Sequence, residues 1–99
     1  RFTVCGLDSN GTAWCWGPNV FGEIGTQPVG STSRFDTPTA VSGGFQFQSL
    51  FPGWNTYCGI TTGGGVACWG RGVDGELGIG NSDTSTPIIV QALSAQSNN

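Results

Sequence analysis

An all-β fold assembled from two copies of one unit is what the sequence predicts, on three observations. Glycine fills 18 of the 99 positions, among abundant Ser, Thr and Asn; that composition favours tight turns and disfavours helices, where a glycine costs about 1 kcal/mol relative to alanine. A shift of 53 residues lays 1–25 over 54–78 with 11 of 25 positions identical. In each copy, two cysteines ten positions apart flank a glycine-containing turn, "CGLDSNGTAWCWG" at 5–17 and "CGITTGGGVACWG" at 58–70.

Taken in order, the first elements are a hairpin. Counting outward from Asn10, Leu7 faces Ala13, Cys5 faces Cys15, Gly6 faces Trp14 and Val4 faces Trp16; the second copy pairs Ile60 with Val66, Gly59 with Ala67, Cys58 with Cys68 and Tyr57 with Trp69. "DSNG" and "TTGGG" form the turns, with glycine supplying positive φ. Both faces of each hairpin are apolar, as befits a sheet packed between two layers rather than one lying against solvent. Glycine at Gly6 is expected to leave room for the Trp14 indole across the strands. "TPTAV" (37–41) and "TPIIV" (86–90) supply a third strand once four residues are dropped from the loop 26–36. "FQFQSLF" (45–51) alternates as a half-covered strand does. Its counterpart "SAQSNN" (94–99) does not. The units are therefore 1–53 and 54–99, with the last strand of the second missing or supplied by a neighbour. A unit of about 50 residues falls in the length class of propeller blades.

Directly opposed cysteines in an antiparallel pair lie within disulfide reach. The expected bridges are Cys5–Cys15 and Cys58–Cys68, each worth roughly 2.5–3 kcal/mol in the chain-entropy model. Zinc is the weaker alternative, because the CxxC spacing is absent and there is no His; free buried thiols are the remaining one. Disulfides point to an extracellular or periplasmic location.

Charge excludes several functions. Three arginines against six acids, with no Lys or His, give a net charge of −3, which argues against binding a phosphate backbone. No apolar run approaches the ~20 residues of a membrane helix, so membrane insertion is not expected. Starting at "RFTVCG", in mid-strand and without Met, the chain reads as a processed product, a fragment or a segment of something longer.

The joint pattern "CGLDSNGTAWCWG", "NVFGEIG", "TPTAV", and again "CGITTGGGVACWG", "GVDGELG", "TPIIV", resembles the regulator of chromosome condensation repeat over nearly the whole chain. The resemblance implies two consecutive β-propeller blades of the four-stranded antiparallel type, incomplete at the chain ends. The paired cysteines are similar to those of secreted members. Two departures stand out: Thr3 and Thr56 occur where the family often has His, and Glu23 and Glu76 where it usually has Gln. No functional residue carries over.

Without His or Lys, and with Tyr57 as the single tyrosine, the usual bases and nucleophile partners are missing; an enzyme is not expected, nor a cofactor. Glu23 and Glu76 recur at one place in the repeat and are expected to bond loop backbone. Asp74, Asp83 and Asn81 lack the spacing of a calcium loop. Asn10 opens a glycosylation sequon. Trp14, Trp16 and Trp69 are expected between blades, whereas Trp54, after "FPG", is a candidate exposed contact. The loop 26–36, with Arg34 and Phe35, is the other candidate binding element, with loops 51–56 and 79–85 beside it. The predicted function is a non-enzymatic module for protein binding or scaffolding. Two alternatives are a self-assembling subunit of a ring or filament, and lectin-like sugar binding. Partners would be another protein or further copies of the repeat.

Overall fold

The computed structural model describes residues 2–53, 55–72 and 83–92. Among these residues seven strands are found: β1 (Val4–Leu7), β2 (Ala13–Pro18), β3 (Arg34–Ala40), β4 (Phe47–Pro52), β5 (Thr56–Thr61), β6 (Gly65–Gly70) and β7 (Thr84–Ala92). They form two antiparallel sheets, β1-β2-β3 and β4-β5-β6-β7. Among the described residues there is no helix. The hairpin registers follow the equal-distance rule, with Cys5 opposite Cys15 and Cys58 opposite Cys68.

Both cysteine pairs are disulfides, with Cα atoms 4.1 and 4.0 Å apart. That is the closeness of the narrow, non-hydrogen-bonded pair in an antiparallel ladder. Turn chemistry fixes the register locally. In the first hairpin the Asp8 carboxylate accepts the N–H groups of Asn10 and Thr12 through Oδ1, and Oδ2 accepts the Trp14 indole N–H at 2.9 Å. These donors, the indole first, hold Asp8 below its usual pKa.

One strand pairs differently from the sequence expectation. The segment read as the last strand of the first unit forms β4, yet it hydrogen-bonds to β5 of the second hairpin, from Phe47 opposite Thr61 to Pro52 opposite Tyr57. The four-stranded sheet is thus the second, and β1 lies at the edge of a three-stranded first sheet. The cause lies in the chain path. Val41 N–H bonds the Ala13 carbonyl, one more rung of the β2–β3 ladder, and Ser42 N–H bonds the Gly25 carbonyl, so the chain stays tied to the first sheet just past β3 before it joins the second. There Phe47 N–H bonds the carbonyl of Gly11 at 2.8 Å. A Cβ on Gly11, whose φ is +82°, would lie 2.8 Å from the Phe47 carbonyl oxygen, so this crossing requires glycine.

The steric reason expected for Gly6 does not hold, because a Cβ there would meet nothing within 4 Å. Its equivalent Gly59 is the crowded one: a Cβ would lie 2.6 Å from Phe47 Cδ1 and 2.8 Å from the Ser49 carbonyl. Crowding comes from the adjacent strand β4, and β1 has no such neighbour among the described residues.

The core lies between the sheets. Ala13 and Cys15 of β2 and Ile24 meet Phe47, Tyr57, Ala67 and Trp69 of the second sheet. Trp69 is wholly buried, lies 5.8 Å from the Tyr57 ring in a stacked arrangement and 5.7 Å from Phe47, and donates its indole N–H to the Glu23 carbonyl at 2.8 Å. Its repeat equivalent Trp16 is half-buried and Trp14 is 37% exposed. The expectation of a tryptophan core between blades therefore holds for Trp69, while Trp14 and Trp16 occupy the outer face of the first sheet.

A buried asparagine shapes the long excursion between β2 and β3. Asn19 donates from Nδ2 to the carbonyls of Thr26 and Pro28 and accepts the Ile24 N–H through Oδ1. Its backbone bonds Ser33 and Gly30. Replacing Asn19 by Ala strands the buried Ile24 N–H and removes a donor from the Thr26 and Pro28 carbonyls, and is expected to lower stability by on the order of 1–3 kcal/mol in denaturant titration; an unchanged midpoint would show that water replaces the side chain. Reduction of either disulfide is expected to remove about 2.5–3 kcal/mol. Peptide mapping under non-reducing conditions checks the pairing, and any Cys5–Cys58 or Cys15–Cys68 cross-link contradicts it.

Candidate binding site

The residues singled out from the sequence are scattered. Arg34 and Phe35, expected in a loop, open β3, because the loop ends at Ser33, whose carbonyl and N–H bond Asn19 and Gly30. Neighbours in a strand point to opposite faces. Phe35 accordingly packs against the core, while Arg34 is exposed and pairs with Asp36 at 2.7 Å, the two side chains being 54% and 77% exposed. Such a pair contributes about 0–1 kcal/mol. Arg34 also lines a broad open groove with Pro18, Val20 and Ser31–Ser33. Trp54, Glu76, Asp74 and Asn81 lie outside the described residues, as do positions 79–82 of the third loop; Asp83 accepts the Gly72 N–H. Asn10 is exposed in its turn.

A smaller, better-walled cavity of about 80 Å³ lies where the two sheets meet, lined by Phe2, Thr3, Glu23, Gly53, Asn55 and Tyr57. Its walls are built by the repeat. Thr3 Oγ1 donates to the Pro18 carbonyl at 2.6 Å, and at the matching positions Thr56 Oγ1 donates to the Arg71 carbonyl at 2.8 Å. A threonine thus clamps the open end of each hairpin at the position where the family pattern often has His. Opposite, the turn entering β5 is held by Gly53 N–H on the Thr56 carbonyl and by Arg71 N–H on the Asn55 carbonyl. The Tyr57 hydroxyl donates to the Thr3 carbonyl at 2.7 Å, bridging the sheets.

Glu23 closes the inner wall. It is 3% exposed, its Oε1 accepts the Phe21 N–H at 2.8 Å, and its backbone carbonyl holds the Trp69 indole. The expected bond from this glutamate to loop backbone is present. Burial, and then the nearby Glu23 carboxylate, push the Tyr57 phenol above its ordinary value of 10.0. The chemistry on offer is recognition: a buried carboxylate, a phenol ring, an exposed phenylalanine ring and loop amides. Among the described residues no group of three or more His, Cys, Asp or Glu converges as a metal site, and no helix is long and apolar enough to cross a membrane. From the sequence, the repeated Glu was visible but its burial beside Tyr57 was not, because the two come from different sheets.

Two disulfide-clasped antiparallel sheets packed face to face, each continuing the same repeat, define this chain as consecutive, partial blades of a β-propeller. No family model matches the chain. Ultraviolet-B receptor UVR8 of Arabidopsis thaliana is 36% identical to it over 91 residues, which cover 89% of this chain and 20% of the receptor. The protein RCC2 homolog of Xenopus laevis is 32% identical over 85 residues, covering 84% of this chain and 16% of that protein. The crystal structure of Prp20p from Saccharomyces cerevisiae, a protein described by its binding to Gsp1p and histones, superposes with a TM-score of 0.80 at 20% identity, covering 97% of this chain and 26% of Prp20p. The repeat is therefore like that of the regulator of chromosome condensation family, and the chain spans about a fifth or less of the length of the curated relatives it matches.

Because the Tyr57 phenol is raised in the folded state, its contribution to stability is full below pH 10 and is lost as pH rises through the raised value. Spectrophotometric titration is expected to show a midpoint above 10.0, and Glu23→Gln is expected to bring it some of the way back. A midpoint indifferent to that substitution removes the carboxylate as a cause.

Proposed function

We propose that the chain is a non-enzymatic, protein-binding segment of a propeller that works in an oxidising compartment, outside the cell or in a periplasm. The observation that carries this reading is the rigid mounting of irregular segments on two cross-linked sheets. Gly53 and Asn55 before β5, the lead-in Phe2–Thr3 and Glu23 of the excursion held by Asn19 converge on one rim and its cavity. Loops fixed on such a scaffold bind without a large ordering cost. Similarity to Prp20p, described by its protein partners, supports the reading, and the two disulfides support the compartment.

A photo-crosslinking residue at Asn55 is expected to capture a discrete protein from the native source, and one at Thr62, on the β5–β6 turn, is not. Equal capture at both positions speaks against a specific rim. Alkylation of the chain as isolated is expected to find no free thiol; four alkylated cysteines would place it in a reducing compartment.

Self-assembly is a second reading, favoured by the outer face of the first sheet. There Val4 is 44% and Trp14 37% exposed, at positions whose equivalents Tyr57 and Ala67 are buried between the sheets. Heterologous contacts of that kind close into rings or run on as filaments. Sedimentation separates the readings. A mass near 10.2 kDa belongs to a segment binding through its rim; a larger assembly that Trp16→Glu dissociates belongs to self-association.

A further inference from the structure

The cavity at the rim is walled by one carboxyl side chain, that of Glu23. The amide of a glutamine at this position would accept the Phe21 N–H through its own oxygen as Oε1 of Glu23 does here. A carboxylate at 3% exposure is stabilised only by a cation or by several donors. Among the described residues, its one hydrogen-bond donor is the Phe21 N–H. Glu23 lines a cavity of about 80 Å³, room enough for a charged group and the last methylenes of an alkyl chain. Two rings border it: Tyr57, stacked on Trp69 and so fixed in orientation, and Phe2, 79% exposed at the mouth. Aromatic walls around a carboxylate are the chemistry that selects an organic cation over a neutral polar group.

We propose that this cavity seats a cationic side chain of a protein partner, the ammonium of a lysine or the guanidinium of an arginine, with Glu23 as its charge partner and the rings of Tyr57 and Phe2 along its stem. The assignment rests on the protein-binding reading above and names the chemistry the partner presents. It also separates two roles of Glu23: a glutamine could make the backbone bond to Phe21, whereas only a glutamate can supply a negative charge.

The test is titration of the 99-residue chain, disulfides intact, followed by heteronuclear NMR. The probes are N-acetyl-lysine methylamide, N-acetyl-arginine methylamide and the neutral N-acetyl-norleucine methylamide. At least one cationic probe is expected to move the amide resonances of Thr3, Glu23, Asn55 and Tyr57, and the neutral probe to leave them in place. In Glu23→Gln the spectrum is expected to keep its dispersion while the affinity falls by at least about tenfold, the scale of one desolvated charge pair. A pentapeptide with a central lysine that binds tighter than the free amide identifies a protein side chain as the occupant; equal or weaker binding assigns the cavity to a free amine and overturns that element of the proposal. Unmoved resonances, equal response to norleucine, or undiminished affinity in a folded Glu23→Gln overturn the cation seat itself. Should Glu23→Gln fail to fold, Phe2→Ala reads the same cavity from its exposed mouth: a several-fold loss supports the proposal and no change refutes it. A partner captured at Asn55 whose binding is indifferent to Glu23→Gln leaves the protein-binding reading standing and removes the cavity from it.

Discussion

The Trp69 indole, enclosed between two sheets that each carry a disulfide, is the contact on which the rest of the molecule depends. Burying an aromatic side chain of this size removes about 150–250 Å² from water, worth roughly 4–6 kcal/mol as an upper figure. Such burial needs a partner for the polar N–H, and the Glu23 carbonyl supplies it. That one hydrogen bond also sets the place of the turn following Asn19. The turn in turn directs Ile24 into the core and the Glu23 side chain toward the rim. Packing and site geometry are thus two ends of one residue pair.

Much of this was legible in the letters. Two cysteines equidistant from a glycine turn fix a hairpin register, because side chains alternate with a period of two and any slip by one residue would reverse both faces. Fold class, disulfide pairing and the expected bond from Glu23 to loop backbone all follow from patterns that occur twice. What occurs once was not legible. Asn19 has Gly72 as its repeat equivalent, so nothing marks it as the buried hub of the excursion; in sequence it looks like any polar loop residue. The alternation of "FQFQSLF" says strand but does not say which sheet, because the backbone bonds that choose are made by Val41, Ser42 and Phe47 to carbonyls at 11, 13 and 25. Phe35 and Arg34, adjacent in sequence, diverge to opposite faces as soon as they belong to a strand.

The two glycines that face their hairpin partners teach the same lesson in miniature. Gly6 and Gly59 hold equivalent positions and invite one explanation, but a side chain would clash at Gly59 and stand free at Gly6. The difference lies in β4, which flanks the second hairpin. Identity within a repeat therefore records what a complete neighbourhood demands, even where one copy does not itself show the demand.

The mismatch between repeat and sheet reaches beyond this chain. The edge strand β4 lies in the sequence stretch of the first copy and in the sheet of the second, so the heritable unit and the mechanical unit are out of phase. Duplication or loss of one such stretch cannot yield a free-standing blade; it adds or removes a link whose tail is already woven into the next. Arrays that grow this way are interlocked by construction, and a shear force between neighbours must strip a hydrogen-bonded strand before it can pull adjacent layers apart.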